Sequence, residues 1–381
     1  MTSVINPTRS AKLDVIRGVA ILAVVAVHSF QASVELSPVS LISEASKTFV
    51  AFSYLRFGVE LFFLLSGWLI FSIHRGNRRE SGKQYLAKRA SRIWPLWIAF
   101  SILSFISLIA NWQLSPVDSR FSADSWWGWV IGFALVFLFL GWFDEGLWNV
   151  PAGGWSIQAE IAHYSLFWVL RKVSDLVLLS SILVGYASFY LAKEIEASTS
   201  TQWVNGFSQS WLRLGLFGTW PFFVAGGLAF IWFGRDRNGE RTPIAMGRFG
   251  LFVRAVLISV ILVCAWWIPI PFGMTYEAVF VCLLLIGVSW ILVRGARTLA
   301  LGVVLGKYSY FIYFAHFWVL QVLVFATAKA LESGQSESMV LFWIIFSALY
   351  VCALIISALI AIPSWKYFES KWIKRTHQTR T

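Results

Sequence analysis

The chain has 381 residues, of which 58% are hydrophobic and only 13% are charged. Soluble domains contain about 45–50% apolar and ~25% charged residues, so this composition excludes an ordinary soluble protein and indicates an integral membrane protein. The net charge of +12 does not indicate nucleic-acid binding, because the basic residues lie in short loops between apolar stretches, where membrane topology accounts for them.

Eleven apolar stretches follow one another, and helices of roughly 17–25 such residues cross a bilayer. They are centred near residues 22, 62, 102, 134, 163, 185, 223, 259, 285, 316 and 351. The segments between them are too short for a water-soluble domain. We therefore predict a single transmembrane domain over residues 1–375 and a short cytoplasmic tail over residues 376–381.

The basic loops test how many stretches cross the membrane. With the N-terminus inside, loop 74–92 is cytoplasmic, as the positive-inside rule requires. Eleven crossings would place the basic loop 234–248 and the basic tail outside. The stretch 126–142 is short, contains glycine and lies between acidic segments. The predicted fold is therefore all-α, with about ten transmembrane helices, one re-entrant or interfacial helix at 126–142, and both termini cytoplasmic.

The first stretch, LDVIRGVAILAVVAVHSF, places Asp14, Arg17 and His28 within an otherwise apolar helix. The helical repeat puts all three on one stripe, and the rise from Arg17 to His28 is roughly 16 Å. Ionisable residues inside a span usually face a cavity or a partner. Two interpretations remain open: a path across the membrane, or an Asp14–Arg17 pair at the interface with His28 bonded to a backbone carbonyl.

Two further motifs follow. FGVELFFLLSGWLI places Glu60 near the outer end of the second stretch, and its glycines Gly58 and Gly67 favour close approach of neighbouring helices. KRASR places Arg89 and Arg92 on one helical face at the cytoplasmic surface. Two guanidinium groups there form a clamp for phosphate, or simply an anchor that follows the positive-inside rule.

The segment that begins at Trp155, WSIQAEIAHY, puts Ser156, Glu160 and His163 on one face. A carboxylate and an imidazole one turn apart suit acid–base chemistry or a structural pair. His316, in LGKYSYFIYFAH, lies within a span as either a proton relay or a core residue. We expect His28, Glu60 and Glu160 near the outer ends of their spans, opposite the arginines.

Together these motifs resemble acyltransferase family 3, whose members acylate sugars and polysaccharides in membranes. The likeness runs from residue 13 to the SWKYFESKWIKR segment near residue 373. It implies a roughly ten-helix fold that moves an acyl group, typically acetyl, from cytoplasmic acyl-CoA to a hydroxyl on the far side. The family motif often continues after its Glu with a second acid and a Phe-Tyr pair, whereas Ile161–Tyr164 follow here.

Carried over by position, the resemblance assigns catalysis to His28 and Glu160 and donor binding to Arg17, Arg89 and Arg92. The possible pocket adds the remaining candidates, namely Asp14, Glu60, Trp155, Ser156, His163 and His316. No metal site is expected. His28 would act as a base or would carry the acyl group covalently; the sequence leaves both routes open.

The expected location is the bacterial cytoplasmic membrane. The expected partners are acyl-CoA, the lipid bilayer and a carbohydrate acceptor, which is O-antigen, exopolysaccharide, peptidoglycan or a glycoside. The alternative is a proton-coupled transporter or flippase, because such carriers also place His, Glu and Arg inside the membrane.

Overall fold

The computed structural model describes residues 7–37, 52, 54–74, 81–110, 125–144, 146–198, 216–233, 296–331, 338–369 and 371–372. The expected spans near 259 and 285, the basic loop 234–248 and the tail 376–381 lie outside these residues. All regular structure within them is helical. In chain order the helices are α1 (Pro7–Glu35), α2 (Phe57–His74), α3 (Gly82–Ile109), α4 (Trp126–Phe137), α5 (Gly154–Leu170), α6 (Asp175–Ser198), α7 (Gly218–Phe233), α8 (Ala296–Ala330) and α9 (Met339–Ser364).

Four segments of these helices are long and apolar enough to cross a membrane. They are Ala11–Glu35, Gln84–Ile109, Ala300–Ala330 and Met339–Tyr367. Shorter apolar helices accompany them, and the outward faces of α3, α4 and α9 carry exposed Ile, Leu, Val and Trp side chains. Apolar side chains on the outside and on the inside of the same bundle are what a lipid environment requires. The described part of the chain is all-helical, and its apolar helices indicate a multi-pass membrane protein.

The centre of the bundle is the close pair of α1 and α8, which run in the same direction. Gly18 packs on Gly302 near one end, where a Cβ on Gly18 would lie 2.6 Å from the Gly302 carbonyl oxygen. Towards the other end, His28 meets His316. Helix α9 runs antiparallel to α1, since Phe30, near the end of α1, contacts Phe342, near the start of α9.

Helix α2 packs against α1 on one side and α7 on the other. A Cβ on Gly58 would overlap the carbonyl of Ala20 in α1, and a Cβ on Gly67 would overlap the carbonyl of Phe223 in α7. Without a hydrophobic effect inside lipid, contact between helices depends on such close backbone approach. The prediction that these two glycines allow close helix packing is confirmed.

Helix α4 lies along α3 in the opposite direction, with Phe133 against Phe105 and Phe137 against Trp94. Its twelve residues span only about 18 Å, less than the ~30 Å hydrocarbon core of a bilayer. The last carbonyls of a helix lack intrahelical partners. Here the indoles of Trp94 and Trp97 donate to the carbonyls of Phe137 and Val136, at 3.3 and 2.9 Å.

The segment after α4 is irregular and leads back to α3. Phe139 takes a left-handed backbone conformation with φ of 61°. Buried Gln158 of α5 then accepts from the Trp142 amide at 3.0 Å and donates to the Trp148 carbonyl at 2.9 Å. Helix α5 begins beside the middle of α3, because a Cβ on Gly154 would lie 3.2 Å from the Trp97 ring. Irregular backbone at this depth is satisfied by protein side chains, as it must be away from water.

Candidate functional site

A cavity of about 110 Å³ opens between α1, α2, α3, α5 and α8. An apolar cavity of ~150 Å³ holds benzene, so this space suits a small group or part of an elongated ligand. Aromatic and aliphatic side chains form much of its wall, and polar side chains from all five helices converge on it. The polar residues are Arg17, Ser66, Arg89, Arg92, Ser156, Glu160, Tyr164, Ser309, Tyr310 and Tyr313.

Three arginines line this cavity. Arg89 and Arg92 come from one face of α3, as their spacing predicts, and Arg17 comes from α1. Asp14 accepts a hydrogen bond from Arg17 at 2.8 Å, and both side chains are mostly buried. Three guanidinium groups meet two carboxylates, Asp14 and Glu160, at this site. The cationic excess favours an anionic ligand, and guanidinium groups bind phosphate oxygens well.

Glu160 sits at the centre of a hydrogen-bonded cluster on the cavity wall. Its Oε1 accepts from the hydroxyl of Ser66 at 2.8 Å and from the hydroxyl of Tyr164, one helical turn away. The guanidinium carbon of Arg89 lies 6.0 Å from the centre of the Tyr164 ring. Two donors on one oxygen orient the carboxylate of Glu160 on the cavity wall that the arginines also line.

A second polar cluster marks the start of α5. The hydroxyls of Ser156 and Tyr313 lie 2.8 Å apart, and each is 3.1 Å from the carbonyl oxygen of Gly153. Gly153 has φ of 76°, the left-handed conformation that favours glycine, and a Cβ there would also press on the Phe317 ring at 2.7 Å. Hydroxyl groups are therefore held at the cavity surface by a tightly constrained turn.

His28 is not part of the cavity wall and pairs with another histidine. Its Nδ1 lies 2.9 Å from Nε2 of His316, whose own Nδ1 lies 2.9 Å from the carbonyl oxygen of Ile312. Phe317 packs against both rings, with centroids 4.5 and 4.1 Å away. His316 is fully buried and His28 keeps some exposure. The pair lies one helical turn along α8 from Tyr313, which does line the cavity.

Comparison with known families decides the class of the protein. A family model described as an acyltransferase domain, that of acyltransferase family 3, matches residues 10–362, nearly the whole chain. The chain belongs to acyltransferase family 3. No curated protein and no solved structure matches it.

The acyltransferase brings five of the sequence-predicted site residues to one cavity. They are Arg17, Ser156, Glu160, Arg89 and Arg92. The expected separation of acidic and basic groups into opposite halves of the membrane does not hold for Glu160, which shares the cavity with all three arginines. The reason is the starting position of α5, which begins beside Trp97 in the middle of α3.

The other predicted pocket residues lie outside the cavity wall. Asp14 contacts it through Arg17, and Trp155 is half-buried against the core. Glu60 is buried, and one of its carboxylate oxygens has no hydrogen-bond partner. His163 is fully buried among Phe63, Trp220 and Phe223, and its Nε2 donates to the Leu216 carbonyl at 3.2 Å.

Ser66, Tyr164, Tyr310 and Tyr313 join the cavity without having been singled out from the sequence. A signal for Tyr164 exists, because it follows Glu160 by four residues and so shares its helical face. Ser66 and Tyr313 lie in motifs that the sequence presents, FGVELFFLLSGWLI and LGKYSYFIYFAH. Only the packing of α2 and α8 on α5 shows that the side chains of Ser66 and Tyr313 face the cavity.

In the described part of the acyltransferase, no group of three or more His, Cys, Asp or Glu side chains is placed to hold a metal ion. The polar side chains of the cavity are arginines, hydroxyls and a single carboxylate. This donor set suits binding and proton transfer on an organic anion.

Proposed function

We propose that this acyltransferase moves an acyl group, most simply acetyl, from cytoplasmic acyl-CoA to a hydroxyl of an extracytoplasmic carbohydrate. The observation that carries the proposal is the layout of the cavity. Arg17, Arg89 and Arg92 converge in the same space as the fixed carboxylate of Glu160. The His28–His316 pair follows one helical turn beyond Tyr313 of the cavity wall.

The arginines account for recognition of the donor. Coenzyme A carries several phosphates on a nucleotide and a long, thin pantetheine arm that ends in the thioester. Guanidinium groups bind phosphates through two parallel hydrogen bonds. Because the cavity holds only a small group or a slender chain, the phosphates bind at its arginine end while the arm extends towards Ser156 and Tyr313.

The acid–base step is assigned to His28. It takes the proton of the acceptor hydroxyl, whose oxygen attacks the thioester carbonyl carbon. Covalent transfer through an acyl-His28 intermediate is the alternative route. Tyr313 and Phe317 lie between the cavity and His28, since both pack near Gly153 and Phe317 contacts the His28 ring. The acyl group passes this aromatic pair to reach His28.

Glu160 orients the donor end of the site. Its Oε1 is occupied by Ser66 and Tyr164. A carboxylate beside three arginines stops the guanidinium groups from repelling one another and fixes the face that they present. The role proposed here is thus electrostatic positioning of the arginines in addition to the acid–base role expected from the sequence.

The proposed topology has ten crossings, with both termini in the cytoplasm and α4 as a re-entrant helix in a bacterial inner membrane. Successive crossings alternate in direction. If every apolar stretch crossed, α8 would be the tenth span and antiparallel to α1; with one stretch excluded it is the ninth and parallel. The parallel packing of α1 on α8 and the short, returning α4 both support the exclusion of 126–142.

Labelled acetyl-CoA supplied to inside-out vesicles tests the proposed function. The expected result is label on glycan inside the vesicle, with none in vesicles that carry His28→Ala at equal abundance. Movement of glycan without label would identify a transporter or flippase and contradict the proposal. Label on the protein alone, in the absence of acceptor, would select the covalent route.

The acceptor is identified by a glycan mass profile of cells with and without the protein. An added acetyl mass on O-antigen, exopolysaccharide, peptidoglycan or a glycoside would name it. If cells that express the folded protein and make their normal glycans had the same profile as cells without the protein, a carbohydrate acceptor would be contradicted.

A further inference from the structure

We propose that His316 is a positioning residue that fixes the tautomer of His28, so that Nε2 of His28 is the nitrogen available to the reaction. The inference rests on the proposed function, in which His28 is the base. It begins from a hydrogen-bond chain that runs from a backbone carbonyl through two imidazoles. The chain is Ile312, His316 and His28, with both distances 2.9 Å.

The hydrogen bond to the Ile312 carbonyl fixes which atoms donate and which accept along these hydrogen bonds. A carbonyl oxygen can only accept, so Nδ1 of His316 must carry a proton to bond Ile312. A neutral imidazole has one N–H, which leaves Nε2 of His316 as an acceptor. The neighbouring Nδ1 of His28 must then be the donor. Nε2 of His28 is left with a free lone pair.

The surroundings keep His316 neutral. It is fully buried, with the rings of Tyr313 and Phe317 against it. Burial of a charge without a counter-charge is costly. Among the described residues, the hydrogen-bond partners of the two imidazoles are each other and the Ile312 carbonyl, and neither imidazole bonds a carboxylate. The polarity derived for a neutral His316 therefore applies.

The accessible member of the pair is His28. It keeps partial exposure while His316 has none. Phe317 packs on both rings and restricts their rotation. A histidine with one nitrogen engaged and one free is prepared for proton transfer, and the nitrogen left free is set by the bond that the other makes. The pair thus resembles an oriented base and not two separate core residues.

In this arrangement every proton and bond of the proposed reaction is accounted for. Nε2 of His28 takes the acceptor's hydroxyl proton, the hydroxyl oxygen forms a bond to the thioester carbon, and a tetrahedral oxyanion results. The carbon–sulfur bond then breaks, and the proton on Nε2 goes to the departing sulfur to give free thiol. While His28 is cationic, its Nδ1–H bond to His316 is charge-assisted and stronger, so His316 also stabilises the charged stage.

A matched pair of substitutions isolates the atom that matters. In His316→Gln the side-chain amide oxygen extends to the position of Nε2 and can accept from His28. In His316→Asn the amide reaches only the position of Nδ1. We expect the Gln variant to keep activity within about tenfold of wild type and the Asn variant to lose ~100-fold or more. Equal activity of both variants, each folded by size-exclusion chromatography, would overturn the proposal.

The tautomer itself is measured by ¹⁵N spectroscopy of histidine-labelled protein in lipid, with His28 assigned by comparison with His28→Ala. The expected spectrum shows a protonated Nδ1 and an unprotonated Nε2 for His28, and a mixture of tautomers in His316→Asn. A protonated Nε2 on His28 in the wild-type protein at neutral pH would refute the assignment. Full acyl transfer by His28→Ala would instead refute the proposed base while leaving the measured proton position intact.

Discussion

Ser66 and Glu160 lie 94 residues apart in sequence and share a hydrogen bond of 2.8 Å on the cavity wall. The bond ties α2 to α5 where both face the three arginines. Because Tyr164 donates to the same oxygen, the orientation of the carboxylate depends on two separate helices.

Replacement of Glu160 tests this cluster. In Glu160→Gln the anion is lost while the volume is kept, and we expect acyl transfer to fall by about 10²- to 10⁴-fold, the range of a lost acid–base or charge-positioning group. The measurement is the initial rate with labelled acetyl-CoA in vesicles.

Tyr164→Phe keeps the ring beside Arg89 and removes one of the two hydrogen bonds to Glu160. Loss of one such bond to a charged group should lower the rate of acyl transfer by roughly 10- to 100-fold. Ser165→Ala is the control, because the Ser165 hydroxyl bonds the Ile161 carbonyl on an exposed face. An effect of Ser165→Ala as large as that of Tyr164→Phe would contradict the specific role of the cluster.

Arg89 and Arg92 should control the affinity for the donor more than the turnover rate. We expect Arg89→Lys and Arg92→Lys each to raise KM for acetyl-CoA by about 10- to 100-fold, since lysine cannot form the two parallel bonds of a guanidinium group. The measurement is the dependence of the initial rate on donor concentration.

Arg171→Ala serves as the control for charge, because Arg171 directly follows α5, packs against Trp168 and lies away from the cavity. Its KM for the donor should match that of wild type. A donor that lacks phosphate groups should bind equally well to wild type and Arg89→Lys. If the substitutions changed only the affinity for the acceptor, Arg89 and Arg92 would not bind the phosphates of the donor.

Two glycine substitutions separate close helix contact from ordinary packing. A Cβ at Gly67 overlaps the Phe223 carbonyl, whereas a Cβ at Gly185 would lie 3.4 Å from the Trp220 ring, an ordinary contact. Gly67→Ala should lower the apparent melting temperature in detergent by several degrees, because overpacking costs about 1–3 kcal/mol. Gly185→Ala should leave it unchanged, and equal shifts for both would contradict the described α2–α7 contact.

The re-entrant helix is tested by labelling single cysteines in intact cells, after replacement of Cys264, Cys282 and Cys352. Ser125 and Ser174 are both exposed, on either side of the stretch that contains α4 and α5. A membrane-impermeant maleimide should modify Ser125→Cys from outside and Ser174→Cys only after permeabilisation. Modification of both from outside would mean that α4 crosses and that eleven spans exist.

Glu369 lies outside the spans and should make the stability of the folded protein depend on pH. Burial raises the pKa of Glu369 from 4.5 to about 7, against smaller effects of the Ser364 hydrogen bond and of Arg92. The folded state then binds more protons than the unfolded state between pH 4.5 and 7, so stability falls as pH rises through this window. Glu369→Gln should raise the apparent melting temperature at pH 8 and not at pH 5; the same shift at both pH values would exclude the carboxylate as the cause.

The sequence predicted the groups of the site better than their arrangement. The Arg-x-x-Arg spacing was sufficient to predict that Arg89 and Arg92 share one face of a helix, because a single helix determines which residues share its face. The depth of Glu160 was not predictable, since it is set by the non-helical backbone between α4 and α5. The partner of His28 was equally out of reach, because His316 lies 288 residues away and on another helix.

The position of Gly154 beside Trp97 has an electrical consequence. Each helix carries a dipole equivalent to about half a positive elementary charge at its N-terminus. In most membrane helices this end faces water, which screens it. Helix α5 begins halfway along α3, so its positive pole is enclosed by protein near Ser156. The peptide dipole of α5 therefore contributes a positive potential to the site that does not depend on the titration of any side chain.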